Sequence, residues 1–201
     1  MNFSPRPSLP KSLRASLASG KEKLLTRSLK AAAAEQGLLE LAGRLRDLAG
    51  KDLADQYSTM DIDSEYLLTK VCCQQAFQIK LASTVLPDGP GTVVDIGDSS
   101  GAHTRHLQAL NPACKADFLS VNLDPQAVAK IRAKGLKALQ SRAEQLGAHG
   151  VDADVFLLFE TLEHLPDPFS FLHDLSSKTR CRRLVLTVPY VRRSRLGLHH
   201  I

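Results

Sequence analysis

Glu160, Glu163 and His164 stand close enough in the chain to do chemistry together. They follow the apolar run Asp154-Val-Phe-Leu-Leu-Phe159 and open the segment Glu160-Thr-Leu-Glu163-His164-Leu-Pro-Asp-Pro168. If residues 160–164 form a helical turn, spacings of three and four place the three side chains on one side of it. Two carboxylates and an imidazole then make a ligand set for Mg²⁺ or Mn²⁺, completed by water or by acceptor oxygens. Such a cation would lower the pKa of a bound hydroxyl and fix its direction. Without a metal, His164 is the candidate general base with Glu163 beside it, and His103 is a second candidate.

A second stretch supplies a binding site. Thr92, Val93, Val94 and Ile96 form a short β-branched run suited to a buried parallel strand. The run breaks at Gly97, passes through Asp98, Ser99 and Ser100, and resumes at Gly101 with Leu107 and Leu110 at helical spacing. Strand, glycine turn and helix in that order bring backbone N–H groups to a helix N-terminus, where anionic ligand groups are stabilised. Asp95 lies inside the apolar strand, and a carboxylate there needs a partner or a role.

These two stretches need elements to hold them. A helix is expected from Ser64 towards Leu86, capped by Asp63 or Ser64 and ended by Pro87-Asp-Gly-Pro-Gly91. Asp117–Asn122 reads as a second strand, and Pro125–Lys134 as a helix with proline in its first turn and Gly135 past its end. Asp124 lies 23 residues beyond Gly101, near the point where doubly wound folds place a ribose-binding acid; Asp before Pro is equally a good N-cap. Lys137–Gln140 is a weak third strand, 154–159 a clear fourth, and 183–189 a fifth, with a short helix over 168–175 between the last two. Alternating strands and helices imply an α/β fold with a parallel sheet. Upstream, leucines from Leu13 to Leu48 recur at helical spacing, with Gly20 and Gly37 as breaks, so residues 1–62 read as a leader and helical extension and 63–201 as the main domain. Tyr57 and Met60, in the polar connection after these helices, are placed to cover a site.

The run from Thr92 to His103 resembles the first motif of class I S-adenosylmethionine-dependent methyltransferases, a hydrophobic strand followed by Asp-x-Gly-x-x-x-Gly. A dinucleotide turn of the type Gly-x-Gly-x-x-Gly would need a middle glycine, which Asp98-Ser99-Ser100 does not provide; an NAD(P)-binding oxidoreductase is therefore the weaker reading. The resemblance implies S-adenosyl-L-methionine as cofactor, with Asp95, Gly97, Asp98, Ser99 and Gly101 at its methionine end and Asp124 at its ribose. Near the adenine the family has an Asp followed by a small residue. Here Arg142 takes the place of that Asp, which leaves Ala143 and Glu144 for the contact. The resemblance also implies a Rossmann-like, doubly wound sheet of order 3-2-1-4-5. The family's two closing strands have little room before Ile201, and are expected to be missing, which would leave the fifth strand exposed unless the N-terminal helices or a second copy cover it.

The segment Glu160-x-x-Glu163-His164 is similar to one in ubiquinone-pathway O-methyltransferases and in small-RNA 2′-O-methyltransferases, where it is implicated in holding a divalent metal. The RNA enzymes add a further His after the fifth strand, the general region of His199-His200. An oxygen methyltransferase follows as the expected activity, on a small-molecule, glycan or RNA hydroxyl. A cofactor-binding or interaction protein of the same fold, without turnover, is the alternative.

Composition narrows the classes further. The chain has 201 residues and a formal charge of +5, unevenly spread. Residues 1–50 carry nine Lys/Arg against four Asp/Glu, residues 51–175 ten against seventeen, and residues 176–201 seven basic side chains and no acidic one. Aromatics are 5% and are not interleaved with the basic ends, which argues against a base-stacking surface for single strands. No apolar run reaches the roughly 18 residues of a membrane span, and no signal-peptide core follows Met1, so a cytoplasmic location is expected. Cys72, Cys73, Cys114 and Cys181 show no Cys-x-x-Cys spacing and read as free thiols.

Overall fold

The computed structural model of the protein describes residues 11–50, 62–189, 191–194 and 197–200, with side chains over 19–50 and 62–189. Tyr57 and Met60 and the first ten residues lie outside the described residues. Thr92–Ile96 (β1), Asp117–Asn122 (β2), Ala138–Gln140 (β3), Ala153–Phe159 (β4) and Cys181–Thr187 (β5) form one sheet of order β3-β2-β1-β4-β5, with every neighbouring pair parallel. This is the expected doubly wound order.

Alternation along β1 divides the core in two. Val93 faces one side, with Leu107, Val155, Leu157 and Phe159; Val94 and Ile96 face the other, with Val121, Phe156 and Leu158. Each set is buried because strand side chains point to opposite faces in turn and both faces of a parallel sheet are covered.

Helices Lys11–Glu35 (α1), Leu39–Ala49 (α2) and Glu65–Ser83 (α3) lie over the first face. The chain breaks at Gly37, which takes φ +64, and runs through Gly20 without one. Ser64 caps α3, its hydroxyl accepting from Leu67 N at 3.2 Å. Leu38, Ala42, Leu45 and Ala49 join Val71, Cys72, Ala76 and Ile79 in the same core as β1 and β4. The N-terminal helices are thus packed on α3 and share the core of the main domain. Ala102–Leu110 (α4), Pro125–Ala133 (α5) and Pro168–Lys178 (α6) complete the crossovers.

After β5 the chain forms two short strands, Val191–Ser194 (β6) and Gly197–His200 (β7), which pair antiparallel with each other. They make a separate two-stranded sheet, so among the described residues the main sheet ends at β5, without the two closing strands, as expected. Among the described residues no helix is long and apolar enough to cross a membrane.

Candidate functional site

β1 ends in a turn whose conformation is set by two glycines. Gly97 takes φ +95 and Gly101 φ +76, both in the region where a Cβ is disfavoured. Gly97 N donates to Val121 O at 2.8 Å, tying the turn to β2. Asp98 holds the rest from inside. Its Oδ1 accepts from Gly101 N at 2.9 Å and Ser100 N at 3.4 Å, and its Oδ2 accepts from Ser120 Oγ at 3.2 Å. The carboxylate thereby satisfies N–H groups at the start of α4, where negative charge is also favoured by the helix dipole.

Asp95 is paired beneath the turn. Its Oδ2 lies 3.0 Å from His103 Nδ1, both side chains are buried, and the imidazole packs edge-on against Phe159 with centroids 5.0 Å apart. Burial pushes the Asp95 carboxyl up, to about 6, against the opposing charge of His103. Burial also works against a charged imidazole, but the charge and hydrogen bond of Asp95 outweigh it and hold His103 up, at about 9. Asp95, Asp98 and His103 are the one His/Cys/Asp/Glu group among the described residues whose donor atoms converge within 4.8 Å. Within it, Asp95 Oδ2 is bonded to His103, and Asp98 to backbone N–H groups and Ser120. His103, expected as a second candidate base, is buried and paired with Asp95.

A pH dependence follows. His103 is raised above its ordinary 6.5, so its contribution to stability is full below that value and is lost as pH rises through about 9. The raised Asp95 acts in the same direction at lower pH, since its contribution falls as pH rises through about 6. The melting temperature of the protein should therefore fall between pH 7 and about 10. His103→Gln should start lower and show a flatter profile over that range in calorimetric scans.

Above the turn lies a cavity of about 290 Å³ beyond the carboxyl ends of the strands, the place where open α/β sheets bind ligands. Gly97, Ala143, Glu144 and His164 are among the residues that line it. Of the expected cofactor residues, Gly97, Ala143 and Glu144 line it. Asp95 and Asp98 lie buried under the turn, and Ser99, Gly101 and Asp124 are outside the lining.

Asp124 is exposed, and its Oδ1 accepts from Gln126 N at 2.8 Å as the N-cap of α5. The structure thus gives it the capping role, and Asn122 lines the cavity at the end of β2. The Asn122 amide is already engaged, donating to Asp98 O at 3.2 Å and accepting from Asp124 N at 2.8 Å. Asp124→Ala should cost about 1 kcal/mol in chemical denaturation and leave the affinity of this cavity for a nucleoside ligand within about two-fold.

The segment after β4 departs from the helical turn that spacing suggests. Glu160 N remains in the strand ladder, donating to Thr187 O at 3.0 Å, and the residue takes φ +48, the one non-glycine with positive φ among the described residues. Leu162–His164 is a short 3₁₀ turn. His164 Nε2 lies 3.8 Å from Glu163 Oε1, and Glu160 does not join them in a converging set. The three-ligand arrangement is therefore not formed, because a backbone still in the ladder at Glu160 cannot also begin a helix. The side chains of His199 and His200 lie outside the described residues.

Sequence reasoning missed Asn122, Leu123, Ser141, Thr161, Leu165 and Pro166 as lining residues. Asn122 and Ser141 were legible in principle, since each lies at the carboxyl end of a recognised strand.

Among known families, a methyltransferase domain matches residues 94–180. No curated protein sequence matches the chain significantly. Solved structures of similar fold include the 4+2 cyclase SpnF, with 14% identity over 76% of this chain and 60% of that one, at a TM-score of 0.52. Coclaurine N-methyltransferase, solved with N-methylheliamine and SAH, shares 17% identity over 85% of this chain and 61% of its own, at 0.49. A SAM-dependent methyltransferase from Aquifex aeolicus shares 14% over 78% and 77%, at 0.46. The chain spans about three fifths of the length of the first two.

Proposed function

We propose, from the match of residues 94–180 to a methyltransferase domain, that this chain binds S-adenosylmethionine in the cavity lined by Gly97 and His164 and transfers its methyl group to a hydroxyl oxygen. The observation that carries the reading is the cavity itself, whose lining includes both Gly97 of the turn and His164 of the loop after β4. The unpartnered Oδ1 of buried Asp95 beneath the turn fits a site completed by a polar ligand or water. S-adenosylmethionine supplies, when bound, a methyl group already activated by its sulfonium.

The chain's work is then to bind, to orient and to take a proton. Gly97 lets Thr161 pack over the end of β1 beside the cavity, and the lining at Asn122, Ala143 and Glu144 holds the ligand's nucleoside end. His164 accepts the proton of the acceptor hydroxyl, with Glu163 at 3.8 Å to stabilise the imidazolium. Metal assistance through Glu160, Glu163 and His164 lacks a gathered ligand set, and no step is assigned to it. The acceptor is a small-molecule, glycan or RNA hydroxyl, and self-association through the N-terminal helices or the β5 edge belongs to the same proposal.

A second reading is ligand binding without methyl transfer. It is favoured by Arg142 in the cavity wall and by the absence, among the described residues, of a lining carboxylate at the end of β2. Methyl-labelled S-adenosylmethionine incubated with phenolic, sugar and RNA acceptors, with EDTA or with Mg²⁺, separates the two. Label transferred in EDTA and lost in His164→Ala is the expected result. Binding without transfer to any acceptor supports the second reading, and transfer only with Mg²⁺ restores the metal.

A further inference from the structure

Thr161 links the loop after β4 to the turn after β1. Its hydroxyl lies 2.9 Å from the Phe159 carbonyl oxygen and 3.3 Å from that of Ile96, and donates to either. It thus bridges the ends of β4 and β1. Its side chain fills the space over Gly97, where a Cβ would lie 2.2 Å from Thr161 Oγ1. On the other side its carbonyl accepts from His164 N at 3.0 Å and opens the 3₁₀ turn. The left-handed backbone at Glu160 precedes it directly. Such a conformation in a non-glycine residue costs of order 1 kcal/mol or more and persists where the surroundings enforce it.

We propose that Thr161 is a positioning residue that keeps the acceptor loop, residues 160–166, in register with the turn at Gly97, so that ligand seating at the turn fixes the place of His164. The inference rests on the functional reading above. The hydroxyl is the coupling group, because it is the Thr161 side-chain atom that hydrogen-bonds the β1 end, at Ile96 O; the carbonyl then carries the constraint to His164. Removing the hydroxyl while keeping the shape should leave the turn able to bind and the loop no longer responsive.

The test is hydrogen–deuterium exchange on the full chain, with and without saturating S-adenosylhomocysteine. In the parent, ligand should slow exchange about ten-fold or more both at the turn, residues 97–101, and at the amides of 162–165. In Thr161→Val the turn should still be protected, while the loop amides change by less than about two-fold. Thr161→Ser, which keeps the hydroxyl, should respond like the parent, and Thr161→Ala, which lacks it, should respond like the valine variant and takes its place if that one does not fold. Loop protection in Thr161→Val equal to the parent's would show direct ligand contact to be sufficient and overturn the inference alone. A valine-like response in Thr161→Ser would overturn it as well. Absence of protection at the turn in the parent overturns the functional reading and the inference together.

Discussion

Gly97→Ala should abolish useful ligand binding, lowering the affinity for S-adenosylhomocysteine by about 100-fold, close to 3 kcal/mol. Two effects add. At φ +95 an L side chain is strained by roughly 1–2 kcal/mol. The new Cβ would also lie 2.2 Å from Thr161 Oγ1 and 3.0 Å from its Cγ2, inside contact distance. Thr161 would have to leave, giving up its bonds to Ile96 O and Phe159 O. Titration calorimetry checks the affinity, and urea unfolding should show about 2–4 kcal/mol of lost stability. Near-parental affinity in a folded variant would mean that the turn does not form the ligand site.

Asp98→Ala should be the most destabilising single change in the site. The carboxylate is 1% exposed and accepts from Ser100 N, Gly101 N and Ser120 Oγ, itself fully buried. Each buried donor left without an acceptor costs roughly 1–3 kcal/mol. A total of about 4 kcal/mol is a large part of the 5–15 kcal/mol that holds an ordinary domain together. Asp98→Asn retains one acceptor oxygen and should fall between the two. Chemical denaturation of both variants measures this. Equal stability of Asp98→Ala and the parent would show the turn to be held by its glycines alone.

The part of this site that was legible in the sequence is the part made by neighbours in the chain. The strand Thr92–Ile96, the break at Gly97 and the helix after Gly101 follow from β-branched run, glycine and helical spacing, and the structure has them at those residues. The strand order follows from alternation with helices and from the family resemblance together. Contacts between distant segments were not legible. The Asp98 network draws on Ser120, 22 residues away, and Thr161 reaches Ile96 across 65. His103 was read as a second candidate base, and the structure sets it against Asp95 and Phe159. The grouping of Glu160 with Glu163 and His164 failed for a local reason. Residue spacing predicts a shared face only if the backbone is helical, and Glu160 is still bonded to β5.

Asp124 teaches the same lesson from the opposite side. Its position after β2 suited both a ribose contact and a helix cap, and the carboxylate accepts from Gln126 N. Asn122, two residues earlier, lines the cavity. A shift of two residues at a strand end moves a side chain from the cavity to the start of the next helix.

The central claim is that the cavity between Gly97 and His164 is a cofactor site. Isothermal titration of the parent chain with S-adenosylhomocysteine tests it most directly, with NADPH as the competing ligand. The account predicts saturable one-to-one binding of S-adenosylhomocysteine at micromolar concentration, abolished by Gly97→Ala and retained in Asp124→Ala, and no heat from NADPH. Failure of S-adenosylhomocysteine to bind a folded parent, or binding unaffected by Gly97→Ala, would contradict it.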